Sequence, residues 1–110
     1  MTSKEFSPWF DLEQLDRTAL VSAAFVYQIK DASQLLIYPS GRSAMLFYGE
    51  TTTGSALDET LRSIKNRFPA GQLRFRYRPD PHSIQSLGAL LRRFEKRFGA
   101  LPLGNQPLAD

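Results

Sequence analysis

The sequence predicts a small α+β domain in which a mainly antiparallel β-sheet is flanked by helices. Short runs of β-branched and aromatic residues alternate with turn residues over the first half of the chain, a pattern typical of antiparallel strands. Two segments in the second half carry apolar residues three and four positions apart, the spacing of amphipathic helices. One further strand separates them. The predicted order is therefore (α)-β-β-β-α-β-α, and 110 residues suffice for a single hydrophobic core.

The first half of the chain holds three predicted strands, over residues 23–30, 34–38 and 44–49. Turn-forming residues, including Asp, Ser, Pro and Gly, occupy the two connections at 31–33 and 39–43. Strands this close in sequence form an antiparallel meander, so we expect all three to be neighbours in one sheet.

The second half is predicted to form a helix, a strand and a helix. The apolar stripe of the first helix comprises Leu57, Leu61, Ile64 and Phe68. The stripe of the last helix, over residues 83–98, comprises Ile84, Leu87, Leu91, Phe94 and Phe98. The strand between them alternates apolar residues with arginines, which is typical of a strand with one buried face. Both helices are expected to cover the same face of the sheet.

One domain accounts for most of the chain. We expect it to span residues 23–107 and to be followed by a tail at 108–110. Residues 1–22 precede it, and there Trp9 and Phe10 begin a segment with apolar residues at helical spacing. This segment is predicted to be a short helix, or an arm that packs these two rings on the domain.

Composition excludes several classes of site. The chain has no cysteine, which removes disulfides, thiolate nucleophiles and cysteine-bound zinc. Its one histidine, His82, lies in a Pro-Asp-Pro-His turn, so no site can be built from several imidazoles. The sequence contains no apolar run of membrane-spanning length, and its first residues lack the apolar stretch of a secretory signal. We therefore expect a cytoplasmic protein with no membrane partner.

The net charge of +3 conceals an uneven distribution. Residues 1–61 contain four basic and eight acidic residues, a net charge of −4. Residues 62–97 contain ten basic and two acidic residues, a net charge of +8. A basic half of this kind is typical of a surface that binds a polyanion, and we expect nucleic acid, in particular DNA. The alternatives are a basic face that only aids solubility, one that docks an acidic protein partner, or a homodimer formed through the Trp9–Phe10 arm.

Three arginines alternate along the predicted strand of the second half. Arg74, Arg76 and Arg78 would project from one face, with alternate residues about 6.6–6.8 Å apart. This spacing is close to that of backbone phosphates, and guanidinium groups bind phosphate oxygens through paired hydrogen bonds. We therefore predict a phosphate-binding row. The other interpretation is an edge strand that its charges protect from aggregation.

The last helix carries further arginines and one carboxylate at the border of its apolar stripe. Arg92, Arg93 and Arg97 lie away from the stripe and are predicted to contact nucleic acid. With Ile84 as the reference, Glu95 falls only about 20° beyond the stripe, so it is expected to point inward. A buried carboxylate needs a partner. Glu95 is predicted either to pair with an arginine such as Arg92 or to act as a metal-binding or catalytic carboxylate.

Three short segments carry a family resemblance. They are Phe25-Val26-Tyr27 on the first strand, Phe47-Tyr48-Gly49-Glu50-Thr51 after it, and Glu95 with the following segment that ends in a Pro-x-x-Asn pattern at Asn105. In their order and distances they resemble the GIY-YIG endonuclease family over residues 23–107.

The resemblance implies a small antiparallel sheet flanked by helices, and hydrolysis of a DNA phosphodiester with one divalent metal ion, Mg²⁺ or Mn²⁺. The site residues that it implies are Tyr27, Tyr48 and Arg62 at the phosphate, Glu95 at the metal, and Gly49 and Asn105 as supports. A single hard carboxylate suits Mg²⁺, which keeps most of its waters.

The sequence also departs from the family pattern. Phe25 stands where the first motif has glycine, and Phe47 stands where the second has tyrosine. Tyr38 offers an alternative pairing with Tyr27, with one residue too many before the next glycine. Thr60, and not an arginine, precedes the leucine of the first helix. Three functions therefore stay open: a metal-dependent endonuclease, a nucleic-acid-binding module without cleavage, and a small protein-protein interaction domain whose basic face docks an acidic partner.

Overall fold

A four-stranded sheet and two helices organise the chain in the computed structural model, which describes residues 5–14, 24–51 and 57–106. The strands are β1 (Phe10–Asp11), β2 (Phe25–Asp31), β3 (Leu36–Tyr38), β4 (Gly41–Ser43), β5 (Met45–Thr51) and β6 (Leu73–Pro79). The helices are α1 (Leu57–Arg67) and α2 (Ser83–Phe98), and short 3-10 turns occupy Leu12–Gln14 and Leu103–Asn105. The predicted α+β class, an antiparallel sheet with flanking helices, is confirmed.

Strand β2 is the centre of the main sheet, whose order is β1-β6-β2-β5. It pairs antiparallel with both neighbours, and Tyr27 lies opposite Gly49 on β5 and Tyr77 on β6. The chain therefore passes from β5 through α1 to β6 across the central strand. Because β6 lies between β1 and β2, the interpretation of the arginine strand as a protected edge is wrong.

Strands β3 and β4 form a separate hairpin, so the predicted meander is wrong in its middle strand. The turn at residues 39–40 folds β3 directly back on β4, and this local pairing removes both strands from the main sheet. At the base of the hairpin the N–H of Asp31 donates to the carbonyl of Ala44 at 2.9 Å. This bond brings the end of β2 to the start of β5, which makes those two strands the neighbours.

The two helices lie on opposite faces of the main sheet. Leu61 on α1 is buried in one core with Tyr27 and Phe75, whereas Phe94 on α2 is buried in a second core with Tyr48. Successive residues of a strand point to opposite faces, and Tyr48 is adjacent to the glycine that Tyr27 pairs with. The expectation that both helices cover one face is therefore wrong, because the central strand is buried on both faces.

The N-terminal residues 5–11, called the strap below, run along the outer side of β6. The N–H of Ser7 donates to the carbonyl of Tyr77 at 2.8 Å, and β1 continues the pairing with Phe10 opposite Phe75. The Phe10 ring stacks on Tyr77 with ring centroids 6.4 Å apart. This region was predicted to be a short helix or an arm that packs two rings on the domain. The strap corresponds to the arm, because it is extended and leads into the 3-10 turn.

The C-terminal 3-10 turn covers the opposite edge of the sheet. The Asn105 side chain pairs with the backbone of Tyr48: its Oδ1 accepts from the N–H at 2.9 Å and its Nδ2 donates to the carbonyl at 2.8 Å. From α1, Arg67 Nη1 donates to the carbonyl of Gly104 at 3.0 Å. The amide of Asn105 thus takes the place of a neighbouring strand on β5.

Several predicted boundaries fall outside the described residues. They are the parts of the arm at 1–4 and 15–22, the domain start at 23, the domain end at 107 and the tail at 108–110. In the part of the chain that the structure describes, neither helix combines the length and apolarity that crossing a bilayer requires.

Candidate nucleic-acid interface

The three arginines of β6 share one face of the strand, but they are not an open row. Arg74 is exposed, whereas Arg76 and Arg78 are half-buried. In register they lie beside β2, with Arg76 opposite Gln28 and Arg74 opposite Lys30. On this face of the sheet α2 packs against β5. The same face of β6 is covered by another segment of the chain.

Two aromatic rings of the strap cover this face of β6. The Trp9 ring contacts two cations, with Arg76 Cζ and Lys30 Nζ each 4.4 Å from its centroid. The Phe6 ring lies 4.7 Å from Arg76 Cζ and 5.0 Å from Arg78 Cζ. Rings and cations therefore alternate in the order Arg78, Phe6, Arg76, Trp9, Lys30, and we call these five side chains the cation–aromatic stack.

Hydrogen bonds hold the two inner arginines in place. Arg76 Nε donates to Oε1 of Gln28 at 2.7 Å, and its partial burial lowers the pKa of the guanidinium. Arg78 Nη2 lies 3.4 Å from Asp80 Oδ2. A hydrogen bond from the Ser86 hydroxyl is the main cause of the lowered pKa of Asp80, and the backbone N–H of His82 donates to its other oxygen at 2.8 Å. Among the described residues no carboxylate forms an ion pair with Arg76 or Lys30.

The exposed basic surface lies instead on the C-terminal half of α2. Its four cations, called the α2 basic face, are Arg92, Arg93, Lys96 and Arg97. All four are exposed because Phe94, which points into the core, sets the orientation of the helix. Arg42 on β4 is also exposed, and its hairpin is joined to the end of this helix by a hydrogen bond from the Ser40 N–H to the Phe98 carbonyl at 2.9 Å.

Glu95 is exposed, so the prediction that it points into the edge of the core is wrong. It follows Phe94 directly and is therefore turned about 100° from the centre of the buried stripe. The prediction took Ile84 as its reference, and Ile84 is 64% exposed. Within the described residues Glu95 forms no ion pair, with Arg92 or otherwise.

The two candidate catalytic tyrosines are buried on opposite faces of the sheet. Tyr27 lies in the core under α1 and shares a hydrogen bond with the Thr60 hydroxyl, and its burial raises its pKa. Tyr48 packs edge-on against Phe94 with ring centroids 5.5 Å apart, and burial raises its pKa to about 12. A single phosphate cannot reach both hydroxyl groups in this arrangement.

Phe47, and not Tyr48, is the side chain of β5 that lies beside Tyr27, with ring centroids 6.0 Å apart. Thr60 occupies the position on α1 that touches the Tyr27 hydroxyl, and Arg62, two residues on, is turned about 200° around the helix and exposed. Gly49 allows the close approach of Tyr27, since a Cβ there would lie 2.8 Å from Phe47 Cε2 and closer still to the Tyr27 ring.

The described residues do not assemble a metal site of protein ligands. In the ranges that the structure describes, no three histidine or carboxylate side chains are grouped closely enough to hold an ion. Glu95 stands alone on the outer side of α2, whereas Tyr27 lies under α1. The residues proposed for metal and phosphate are thus divided between two faces, and no reaction step can be derived from them.

A cavity of about 400 Å³ lies between the 3-10 turn after β1, the end of α1 and the start of β6. Arg74 and Lys65 line it together with Asp11 and Glu13. Lys65 Nζ contacts Glu13 Oε1 at 2.8 Å across this cavity. Since its charges are of both signs and partly paired, the cavity does not add to an anion-binding surface.

Sequence reasoning missed Phe6 and Gln28 as functional neighbours of the arginines. The Phe6 contact depends on the strap reaching β6, about seventy residues later in the chain, and the Gln28 contact depends on the pairing of β2 with β6. No local pattern indicates either approach. The spacing of Phe6 and Trp9 three residues apart was the available signal. No family model matches the chain, and neither a curated protein nor a solved structure is significantly similar to it.

Proposed function

We propose that the protein binds nucleic acid, in particular DNA, through the α2 basic face, as a binding module without cleavage. The observation that carries this proposal is the exposure of Arg92, Arg93, Lys96 and Arg97 on one helix half, with no ion pair to another described residue. Arg42 extends the same positive surface onto the hairpin. Glu95 is the one acidic side chain among them.

Exposed arginines and lysines without a described ion pair are suited to phosphates, because their charged N–H groups bind phosphate oxygens. Each phosphate contact releases a counterion, so the affinity for duplex DNA falls with a slope of about −0.9 per contact in a log–log plot against salt. Four or five contacts correspond to a slope of about −4. Phosphate contacts position the protein without identifying bases, so binding is expected to show little preference for sequence.

Binding without cleavage is favoured by the separation of the residues that cleavage would need. Tyr27 and Tyr48 are buried on opposite faces, and Glu95 lies on the outer side of α2. Arg62 is exposed on α1, on the far side of the sheet from α2. The basic face requires none of these four side chains to act together.

Fluorescence anisotropy with a labelled DNA duplex, over a series of salt concentrations, tests the proposal. We expect the double variant Arg93→Gln/Arg97→Gln to bind at least tenfold more weakly at low salt and to reduce the slope by about 1.8. Arg62→Gln removes one charge from α1 and is the matched control for the single variant Arg97→Gln; it should leave the affinity unchanged. Equal losses in both variants would show that only net charge matters, and salt-insensitive binding would favour an acidic protein partner.

Cleavage is tested separately with supercoiled plasmid in Mg²⁺ or Mn²⁺. We expect the wild-type protein to leave the plasmid intact. Metal-dependent nicking that Glu95→Ala abolishes would overturn the binding-only proposal and would assign Glu95 to the metal.

A further inference from the structure

In the cation–aromatic stack, cations of the sheet form a surface and two rings of the strap lie on it. A ligand with flat rings could occupy the same place. Two flat rings, Phe6 and Trp9, each contact two cations along the face of β6. Proteins that bind a single strand of nucleic acid combine a groove of positive charge with surfaces on which the flat bases stack, and arginines add cation–π contacts. The rings belong to the strap, whereas Lys30, Arg76 and Arg78 belong to the sheet.

The cation–aromatic stack contains three cations, and one of them pairs with a described carboxylate. Asp80 pairs with Arg78, but Lys30 and Arg76 have no described carboxylate, and Arg76 is half-buried with a lowered pKa. The face of an aromatic ring attracts a cation, but it carries no net charge. A phosphate group would therefore compensate these two cations better than the strap does.

The strap is attached more lightly than the strand beneath it. Its backbone bonds to β6 run from the Ser7 N–H to the Tyr77 carbonyl and through the two residues of β1. The Ser7 hydroxyl also accepts from the Tyr77 N–H, and Phe10 is 39% exposed. In contrast, β6 pairs with β2 over seven residues. A short outer strand with exposed side chains opens at a lower free-energy cost than the core of a sheet. The strap can therefore leave while Lys30, Arg76 and Arg78 stay in position.

We propose that the strap is a displaceable cover and that the surface beneath it is a second site, for single-stranded nucleic acid. Two bases would take the places of the Phe6 and Trp9 rings, and phosphates would pair with Arg76 and Lys30. A duplex is a poorer fit, because the faces of its bases are already stacked. This inference rests on the proposed function, since the α2 basic face would make the first contact and the opened stack would add to it.

The test compares single-stranded oligothymidylate and a duplex of equal length, each labelled, in anisotropy titrations. We expect Phe6→Ala/Trp9→Ala to bind the single strand about tenfold more tightly than wild type. The variant has no rings to displace, whereas the same cations pair with phosphates in both complexes, so the salt slope should stay close to that of wild type. Adding Arg76→Gln to the double variant should cancel the gain. Ile37→Ala, which removes an exposed apolar side chain of the hairpin, is the control and should change nothing.

The outcomes separate this inference from the proposed function. If wild type binds through the α2 basic face but the double variant gains nothing, the inference is overturned and the proposed function stands. If wild type does not bind and the double variant does, the proposed function fails and the covered site stands. An equal gain for the duplex, or equal competition by polyglutamate, would overturn the assignment to a single strand.

Trp9 supplies a measurement that needs no core substitution, because it is the only tryptophan of the chain. Its emission in the wild-type protein reports whether the ring leaves Arg76 and Lys30. We expect saturating oligothymidylate to shift or quench this emission, and the duplex to change it less. Unchanged emission at saturation would overturn the displacement of the strap, whatever the fate of the double variant.

Discussion

Arg76 and Gln28 face each other across β6 and β2, and the arginine Nε donates to the glutamine Oε1 at 2.7 Å. Gln28 is 4% exposed, so little water reaches this hydrogen bond. If either side chain is replaced by an apolar one, the polar group of the other loses its partner. We predict that Gln28→Leu lowers the free energy of unfolding by about 1–3 kcal/mol. Urea denaturation measures this value.

The companion variant for that pair is Arg76→Met. If the hydrogen bond is the reason for the loss, the double variant should lose less than the two single variants together, because no polar group is then left unpaired. Strictly additive losses would contradict this account of the pair.

The hydrogen bonds of the Asp31 carboxylate should make the stability of the fold sensitive to acid. Burial raises the pKa of its carboxyl, but hydrogen bonds from Ser33, Gln34 and Gln72 outweigh burial and hold the pKa below its ordinary value. The unfolded chain has a value of about 3.9, so the contribution to stability is complete above that pH and is lost as the pH falls through the lower folded value. We expect the free energy of unfolding to decrease below about pH 4.

Asp31→Asn is the variant that checks this origin. It should be less stable at pH 7 by about 1–3 kcal/mol, and its stability should depend less on pH between about 5 and 2. Glu59→Gln removes an exposed carboxylate of α1 and is the matched control. The same pH profile in wild type and Asp31→Asn would assign the acid sensitivity to other groups.

Two glycines should respond to alanine with opposite signs. At Gly49 a Cβ would collide with the rings of Tyr27 and Phe47, so Gly49→Ala should destabilise the fold by about 1–3 kcal/mol. At Gly88, inside α2, the nearest atom is Nη1 of the flexible Arg92 at 3.2 Å, so Gly88→Ala should stabilise it by about 0.5–1 kcal/mol. Thermal denaturation of both variants compares them directly, and a stable Gly49→Ala would contradict the close packing at Tyr27.

Asn105 should contribute through both ends of its amide. Asn105→Asp keeps the acceptor for the Tyr48 N–H and loses the donor to its carbonyl, whereas Asn105→Ala loses both. We therefore expect a graded loss of stability, about 1 kcal/mol for each hydrogen bond. Gln106→Ala, which removes one bond to the Leu101 carbonyl within the same turn, sets the baseline. An alanine variant at 105 no worse than the one at 106 would refute the role of this amide.

The helices and β6 could be predicted closely, because their signals are local. The apolar stripe and flanking glycine predicted a helix over 83–98, and α2 spans Ser83–Phe98. Alternation predicted a strand with Phe75 inward and arginines on the other face, and this arrangement is found. Each signal repeats within a few residues, so neither depends on which distant segment packs against it.

The candidate site could be predicted only in part, because it depends on contacts between distant segments. The pattern identified Arg76 as one of a row, but its cover comes from Phe6 and Trp9 near the other end of the chain. Likewise, the motif resemblance made Tyr27 and Tyr48 candidate partners at one phosphate. The one-residue difference in strand register places them on opposite faces, and that register is decided by pairing.

The strap and the C-terminal 3-10 turn cover the two edges of the sheet, and they should differ in how far each protects the protein from edge-to-edge aggregation. Removing residues 5–11 would expose the outer edge of β6, which carries Arg74, Arg76 and Arg78. The like charges of two such strands would repel each other and oppose pairing of two copies. Loss of the turn at Leu103–Asn105 would expose the β5 edge, where Met45, Leu46 and Phe47 are uncharged and Glu50 is the one charged side chain, so less repulsion opposes lateral growth into fibrils. Colloidal stability of this protein is therefore expected to depend more on the C-terminal turn than on the N-terminal strap.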